Sequence, residues 1–410
     1  MTGTRISRER AVELAVEEIF VPPAEEIDAA DANGRVLAAD LVARADVPPF
    51  DRAQRDGYAV RSADTAGAQD GPVRLRVGAT ILAGQSEERP LDPKTCVRVM
   101  TGAAVPPGAD AVLMKEEAEE IDAGQIEFRL KLEPDRFIAR AGREVRTGDL
   151  LDRVGTRLDP ALLGVALSSG AHRVNVVRRP RVAVLGTGSE LVRPQDQPGQ
   201  GQIRASNPWM LAAAIAAAGA EVDCLGIVLD REDELRKGLE AGRGADLLIV
   251  SGGTGPGDAD LTHRTLGECG AKVLYHGIDM APGRPSLCAR WDKTLVFGLP
   301  GTPVAAWVVW RVLVAPVLRY LEGDGDWALR LGGARLDSPL DHPEGREAWF
   351  PADLSWKGAE RIAHLRTGRG RRSMRDHTGH PALIRIRAAA GGVIPAGSEV
   401  EVLMDEANSR

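Results

Sequence analysis

Cysteine is scarce and scattered: the chain has four, Cys96, Cys224, Cys269 and Cys288, with no CxxC pair and no histidine placed to complete a zinc site. A disulfide framework and a structural zinc centre are thereby excluded, and the thiols are expected reduced, as small buried apolar residues. No run of about 18 apolar residues occurs, so no membrane-spanning helix is predicted. The first ten residues are polar and carry no apolar signal segment, so the expectation is a cytoplasmic protein without a membrane partner. Excess positive charge is also missing. At a net charge of -7 a general nucleic-acid binder is not expected, because phosphate neutralisation needs a clustered basic surface. Lysine is sparse and arginine carries most of the basic charge, which suits forked recognition of oxyanions. The seven histidines include none beside a serine or cysteine in a nucleophile motif, so acyl transfer has no support. The Gly186-x-Gly188 element lacks the third glycine of a dinucleotide fingerprint, and no GxxxxGK[ST] occurs. Rossmann dehydrogenase and P-loop NTPase readings are both poor.

What is present is a chain of 410 residues, 43% hydrophobic, enough for about two to four compact units. Apolar positions at helical spacing predict one helix after Ser7, a plausible cap, with Pro22-Pro23 as its stop. Between residues 46 and 144 the pattern turns to short β-type runs (73–77, 97–100, 111–114, 125–131) separated by glycine and proline clusters. A helix over 161–168 and a strand over 173–177 follow, and this segment is expected to pair with the opening helix. From 181 to 321 strands (182–185, 222–228, 247–250, 272–275, 295–297) alternate with helices, predicting a parallel sheet covered on both faces. The expectation is a multidomain α/β protein. Residues 1–45 and 145–178 would form a discontinuous domain, 46–144 a β-rich insertion or lid, 179–325 a doubly wound, mostly parallel α/β domain and 326–410 a small C-terminal β domain.

In an open α/β sheet, ligands bind outside the carboxyl ends of the strands, where loops enter helix N-termini. Polar clusters stand at those positions: residues 186–190 after the first strand, Asp230 after the second, residues 251–260 after the third, and the loop 298–303 after the last. The loop containing Ser251, Gly252 and Gly253 can turn its amides towards an oxyanion. Asp258 and Asp260, with Glu190 and Asp230, would hold a hard cation such as Mg²⁺. The plainer alternative makes these acids helix caps and solvated turn residues. Likewise Asp56 reads as a turn residue and Thr101 as a strand former, and the basic run 366–375, with Arg369, Arg371 and Arg372, as a solvated loop or a phosphate contact.

Taken in order, residues 49–51 with 56–60, 98–102, 187–191, 201–203 with Asn207, 251–253, 257–260, 282–285 and 298–301 resemble the molybdopterin molybdenumtransferase family over essentially the whole chain. The resemblance implies a homodimer with a cleft between the α/β domain of one subunit and the insertion and C-terminal domains facing it. It also implies insertion of molybdate into adenylylated molybdopterin with release of AMP, assisted by Mg²⁺. Partners in cofactor assembly, such as a molybdopterin-adenylylating or cofactor-delivery protein, come with that reading. On the matching positions Asp56, Thr101, Glu144, Glu190, Asp230, Asp260 and Arg284 would be catalytic, with Glu190, Asp230 and Asp260 on the metal. Ser251, Gly252, Gly253, Asp258, Pro300, Pro303 and Ser373 would bind the pterin. The family's Lys-Pro-Gly-Lys-Pro is Ala281-Pro282-Gly283-Arg284-Pro285 here, its Gly-Glu-Asp is Gly142-Arg143-Glu144, and the Pro-Gly-x-Pro loop carries Thr302. Arginine keeps charge without the compact ammonium geometry. Ala281 favours a rival reading, a non-catalytic paralogue that carries pterin or finished cofactor.

Overall fold

Five consecutive residues, Leu247–Ser251, are all buried because this strand runs through the middle of a sheet with helices on both faces. The computed structural model describes residues 5–122, 124–255, 261–342, 345–366, 373–379, 381–390 and 392–404. Its central sheet has the spatial order Glu221–Val228, Arg181–Thr187, Leu247–Ser251, Thr294–Leu299, Leu287–Trp291, Lys272–His276. The first four strands are parallel. The strand Arg181–Thr187 has later strands on both sides, so the chain switches direction across the sheet there and leaves a crevice at the carboxyl edge.

Two features of this unit differ from the sequence expectation. Leu287–Trp291 is an additional strand, antiparallel to both neighbours, because a two-residue turn at Asp292 and Lys293 reverses the chain, Asp292 taking φ 51°. That turn lacks the Asn-Gly or Asp-Gly signature by which a hairpin is read from sequence. The opening helix, Arg8–Glu17, capped by Ser7 as expected, packs on the helix Pro303–Leu321 and the strand Lys272–His276 rather than on residues 157–178. Its apolar face, Ala11, Val12 and Ala15, completes the large core of the α/β unit. Pro303–Leu321 is long and apolar enough to cross a membrane, but 78% of it is buried in the protein, so it is a core helix. Its π-helical turn, Trp310–Val314, precedes Pro316, whose missing N–H removes one rung of the helical ladder.

Residues outside this unit form three further groups. Ala24–Asp28 pairs antiparallel with Arg173–Val177, beside the helix Pro160–Ser168 that Asp159 caps, over a core including Leu37, Leu158 and Val176. The insertion carries a six-stranded sheet built on Gly57–Val60, Thr95–Val99 and Ala111–Met114. At the C-terminal end Leu331–Leu336, Glu347–Lys357, Glu360–Leu365, Ala382–Ile386 and Glu399–Leu403 close into a five-stranded barrel, since Glu347–Lys357 pairs with both Glu360–Leu365 and Ala382–Ile386. All four cysteines are free, but the expectation of uniform burial fails: Cys96 and Cys288 are buried, Cys269 is half-buried and Cys224 is exposed. Cys224 lies on the sheet-edge strand Glu221–Val228, one side of which has no strand to cover it.

Candidate functional site

Outside the carboxyl edge of the sheet lies a cavity of about 920 Å³, open on one side. Its floor is made by two loops held together by hydrogen bonds. Gly252 N–H donates to Leu299 O at 3.0 Å, and the Asn207 amide donates to Ser251 Oγ at 2.9 Å and to Gly301 O at 2.8 Å. The Ser251 hydroxyl donates onward to Pro300 O at 3.3 Å. Ser251 is buried, so its hydroxyl fastens the floor, while Gly252, Gly253, Pro300 and Pro303 line the cavity. Glycine is required at 252: its φ is +107°, and a Cβ there would lie 2.2 Å from Thr187 O. Helix Pro303–Leu321 begins at this floor, so its first turn aims unpaired amides at the cavity.

Glu190 and Asp230 stand on one wall, and Thr187 Oγ1 donates to Asp230 Oδ1 at 2.5 Å. Among the described residues no group of three or more His, Cys, Asp or Glu side chains gathers as a metal cluster. Asp258 and Asp260 lie outside the described residues, as do Arg369, Arg371 and Arg372. The loop Ala281-Pro282-Gly283-Arg284 also lines the cavity, stitched to the barrel where Met280 and Ala281 pair in parallel with Glu347 and Ala348.

That stitching brings in residues which the sequence reading did not name. Arg346, Trp349 and Phe350 line the cavity from the barrel, with His342 behind them. His342 is 1% exposed and donates from Nε2 to Arg346 O at 2.8 Å, which fixes the turn that carries Arg346. Arg346 and Arg284 make no ion pair among the described residues, whereas Arg8, Arg157, Arg178 and Arg385 do. Their charge is therefore free for an anion in the cavity. The only local signal was an arginine before the run Ala348-Trp349-Phe350, which by itself reads as a core strand.

The remaining expected residues stand elsewhere. Thr101 donates from both its backbone N–H and its hydroxyl to Asp56 Oδ1, each at 2.7 Å, so these two are brought together on the insertion. The paired donors, above all the backbone N–H, hold the Asp56 carboxyl below the usual carboxylate range. Glu144 is exposed and 3.6 Å from Arg52. Among the described residues the cavity lining comes from between 187 and 374, so Asp56, Thr101 and Glu144 are not part of it within one chain. Ser373 caps a short turn by accepting from Arg375 N–H at 3.2 Å, and its neighbour Met374 reaches the cavity.

Comparison with known proteins matches this layout. Residues 6–170 match the family described as the MoeA N-terminal region (domain I and II), and residues 183–320 match the probable molybdopterin binding domain. The molybdopterin molybdenumtransferase of Bacillus subtilis is 36% identical over 294 residues, covering 70% of this chain and 68% of that protein. Molybdopterin molybdenumtransferase 2 of Mycobacterium tuberculosis is 35% identical over 349 residues, 81% of this chain and 84% of that one. The crystal structure of the molybdopterin biosynthesis MoeA protein from Pyrococcus horikosii matches with a TM-score of 0.83 at 31% identity, covering 98% of this chain and 99% of that chain. With both halves matched and the acids, glycine loops and barrel wall gathered at one sheet edge, the chain belongs to the molybdopterin molybdenumtransferase family.

Proposed function

We propose that this protein inserts molybdenum from molybdate into adenylylated molybdopterin, releasing AMP and forming molybdenum cofactor. The observation that carries the reading is the single cavity into which Glu190, Asp230, the Gly252-Gly253 loop, Arg284 and Arg346 all open. Such a surface suits a phosphate-bearing pterin: amides and two free arginines for the anion, carboxylates for a cation, and the half-buried Phe350 ring for the flat heterocycle. Mg²⁺ takes one or two carboxylates beside substrate phosphates, so Glu190 and Asp230 fit it chemically. When bound, that ion neutralises charge on the phosphates. In the anhydride cleavage water adds to one phosphorus while the other phosphate departs with the P–O electron pair. Negative charge grows on the departing oxygen, where Arg284, Arg346 and the loop amides stabilise it without moving.

Asp56 and Thr101 enter this scheme if two chains pair, the insertion of one subunit facing the cavity of the other, in a cytoplasmic homodimer. Ala281 does line the cavity, so one of the family's cations is absent from the site itself. Arg284 and Arg346 leave two positive charges in the same space, which weighs against the carrier reading. The test is purified protein with adenylylated molybdopterin, molybdate and Mg²⁺, together with complementation of cells lacking their own insertion enzyme. AMP release that depends on molybdate, with restored molybdoenzyme activity, is expected; pterin binding with neither would leave the chain a carrier.

A further inference from the structure

Extended chain turns successive side chains to opposite sides, and the turn into the barrel uses this to separate two spaces. Arg346 and Ala348 face the main cavity, whereas Gly345 and Glu347 face a second one of about 390 Å³ behind it. In that second space Glu347 is 6% exposed and both its oxygens are engaged. Arg8 Nε donates to Oε1 at 3.0 Å, and Arg385 Nη2 donates to Oε2 at 3.0 Å. Arg8 belongs to the opening helix and donates also to Val312 O at 3.3 Å on the core helix. Arg385 belongs to the barrel and pairs further with Glu9 and Glu401. Both guanidinium groups stand over the Trp349 ring, 5.9 and 5.8 Å from its centroid.

We propose that Glu347 is a positioning residue for substrate binding. It clamps Arg8 and Arg385 over the buried Trp349 ring, which fixes the strand presenting Arg346 to the main cavity. The proposal rests on the cavity being the pterin nucleotide site. The strand's backbone link to the α/β unit at this point is only the two-residue ladder at Met280 and Ala281. The ion cluster is a second fastening on the same stretch, and it ties the N-terminal helix, the core helix and the barrel to one carboxylate. Without that carboxylate, two largely buried guanidinium groups keep only the half-exposed Glu9 as a shared counter-charge and are held together less firmly. The wall they brace then shifts, and Arg346 leaves its place.

The test uses Glu347→Gln, which keeps the shape and removes the charge. Binding of adenylylated molybdopterin is measured by calorimetry, with kcat and KM, for the wild type, E347Q, R346A and the double variant. E347Q is expected to raise Kd and KM on the order of threefold to tenfold, because it acts on a residue in contact with the ligand-binding one. kcat should fall by a similar factor, since a displaced Arg346 is also lost to the departing charge, and the fall should vanish in the R346A background. In the R346A background the same substitution should add less than about twofold, because its target is gone. Where E347Q does not fold, Arg8→Lys keeps the charge but loses the Nε contact and should shift Kd in the same direction. Unchanged Kd with lowered thermal stability, or effects that multiply in the double variant, overturns the proposal. A wild-type chain that binds no adenylylated molybdopterin overturns the functional reading, and this proposal with it.

Discussion

Gly252→Ala is the substitution whose consequence follows most directly from the geometry. The added Cβ would sit 2.2 Å from Thr187 O and 3.2 Å from Thr187 C, both backbone atoms that cannot swing aside. At φ +107° an alanine is also strained whatever space it has. Left-handed strain of about 1–3 kcal/mol and a similar amount for displacing packed backbone give roughly 2–6 kcal/mol of destabilisation. The displacement cannot be absorbed locally, because Gly252 N–H is bonded to Leu299 O and its carbonyl accepts from the Thr262 hydroxyl. For a unit of this size the melting temperature should fall by roughly 4 °C or more. Gly301→Ala is the control in the same cavity: its nearest neighbour to a Cβ is Gly252 Cα at 3.6 Å, an ordinary contact. Scanning calorimetry of the two variants beside the wild type checks the reasoning. Equal melting temperatures for G252A and G301A would refute it, since the close approach of the two strand ends would then not be rigid.

Arg284→Ala should lower kcat/KM by about tenfold to a hundredfold, the loss of one charge-assisted contact, with little change in melting temperature because Arg284 has no ion pair among the described residues. Steady-state AMP release on the purified variant measures it. Burial, reinforced by Arg311, pushes His377 down from 6.5 to about 4, so it is neutral at neutral pH. Its folded-state value is depressed, so stability is full above pH 6.5 and falls between 6.5 and about 4 as the unfolded chain takes up the proton first. The loss is up to about 3 kcal/mol, and His377→Gln should flatten the pH dependence of thermal unfolding in that window. Asp56→Asn removes the carboxylate that accepts both Thr101 donors on an exposed surface. If the insertion serves a partner's cavity, turnover should fall at least about tenfold with unfolding unaltered, and mixing D56N with Arg284→Ala subunits should recover part of the activity by restoring one intact site.

Much of the site was legible because glycine, proline and acid clusters after short apolar strands mark the carboxyl edge of an α/β sheet. Glu190, Asp230, Gly252, Gly253, Pro300 and Pro303, which stand in such clusters, all open into one cavity, and Arg284, which only the family resemblance pointed to, joins them. Ser251, expected to bind the pterin, instead uses its hydroxyl to fasten the floor, since which side of a strand end a small side chain takes depends on its neighbours. The antiparallel strand Leu287–Trp291 was missed because its turn carries no strong local signature.

Sequence by itself determined the alternation of strands and helices, the capped opening helix and the chemistry available at each loop, because these depend on the spacing of residues near one another in the chain. Only the tertiary structure decided that the opening helix completes the α/β core, that the barrel's Arg346 and Trp349 complete the cavity, and that Arg8, Glu347 and Arg385 share one buried cluster. Those pairings join residues up to 376 positions apart, as Glu9 and Arg385 are. No local pattern encodes such a distance; the closing of the barrel and its docking on the sheet do.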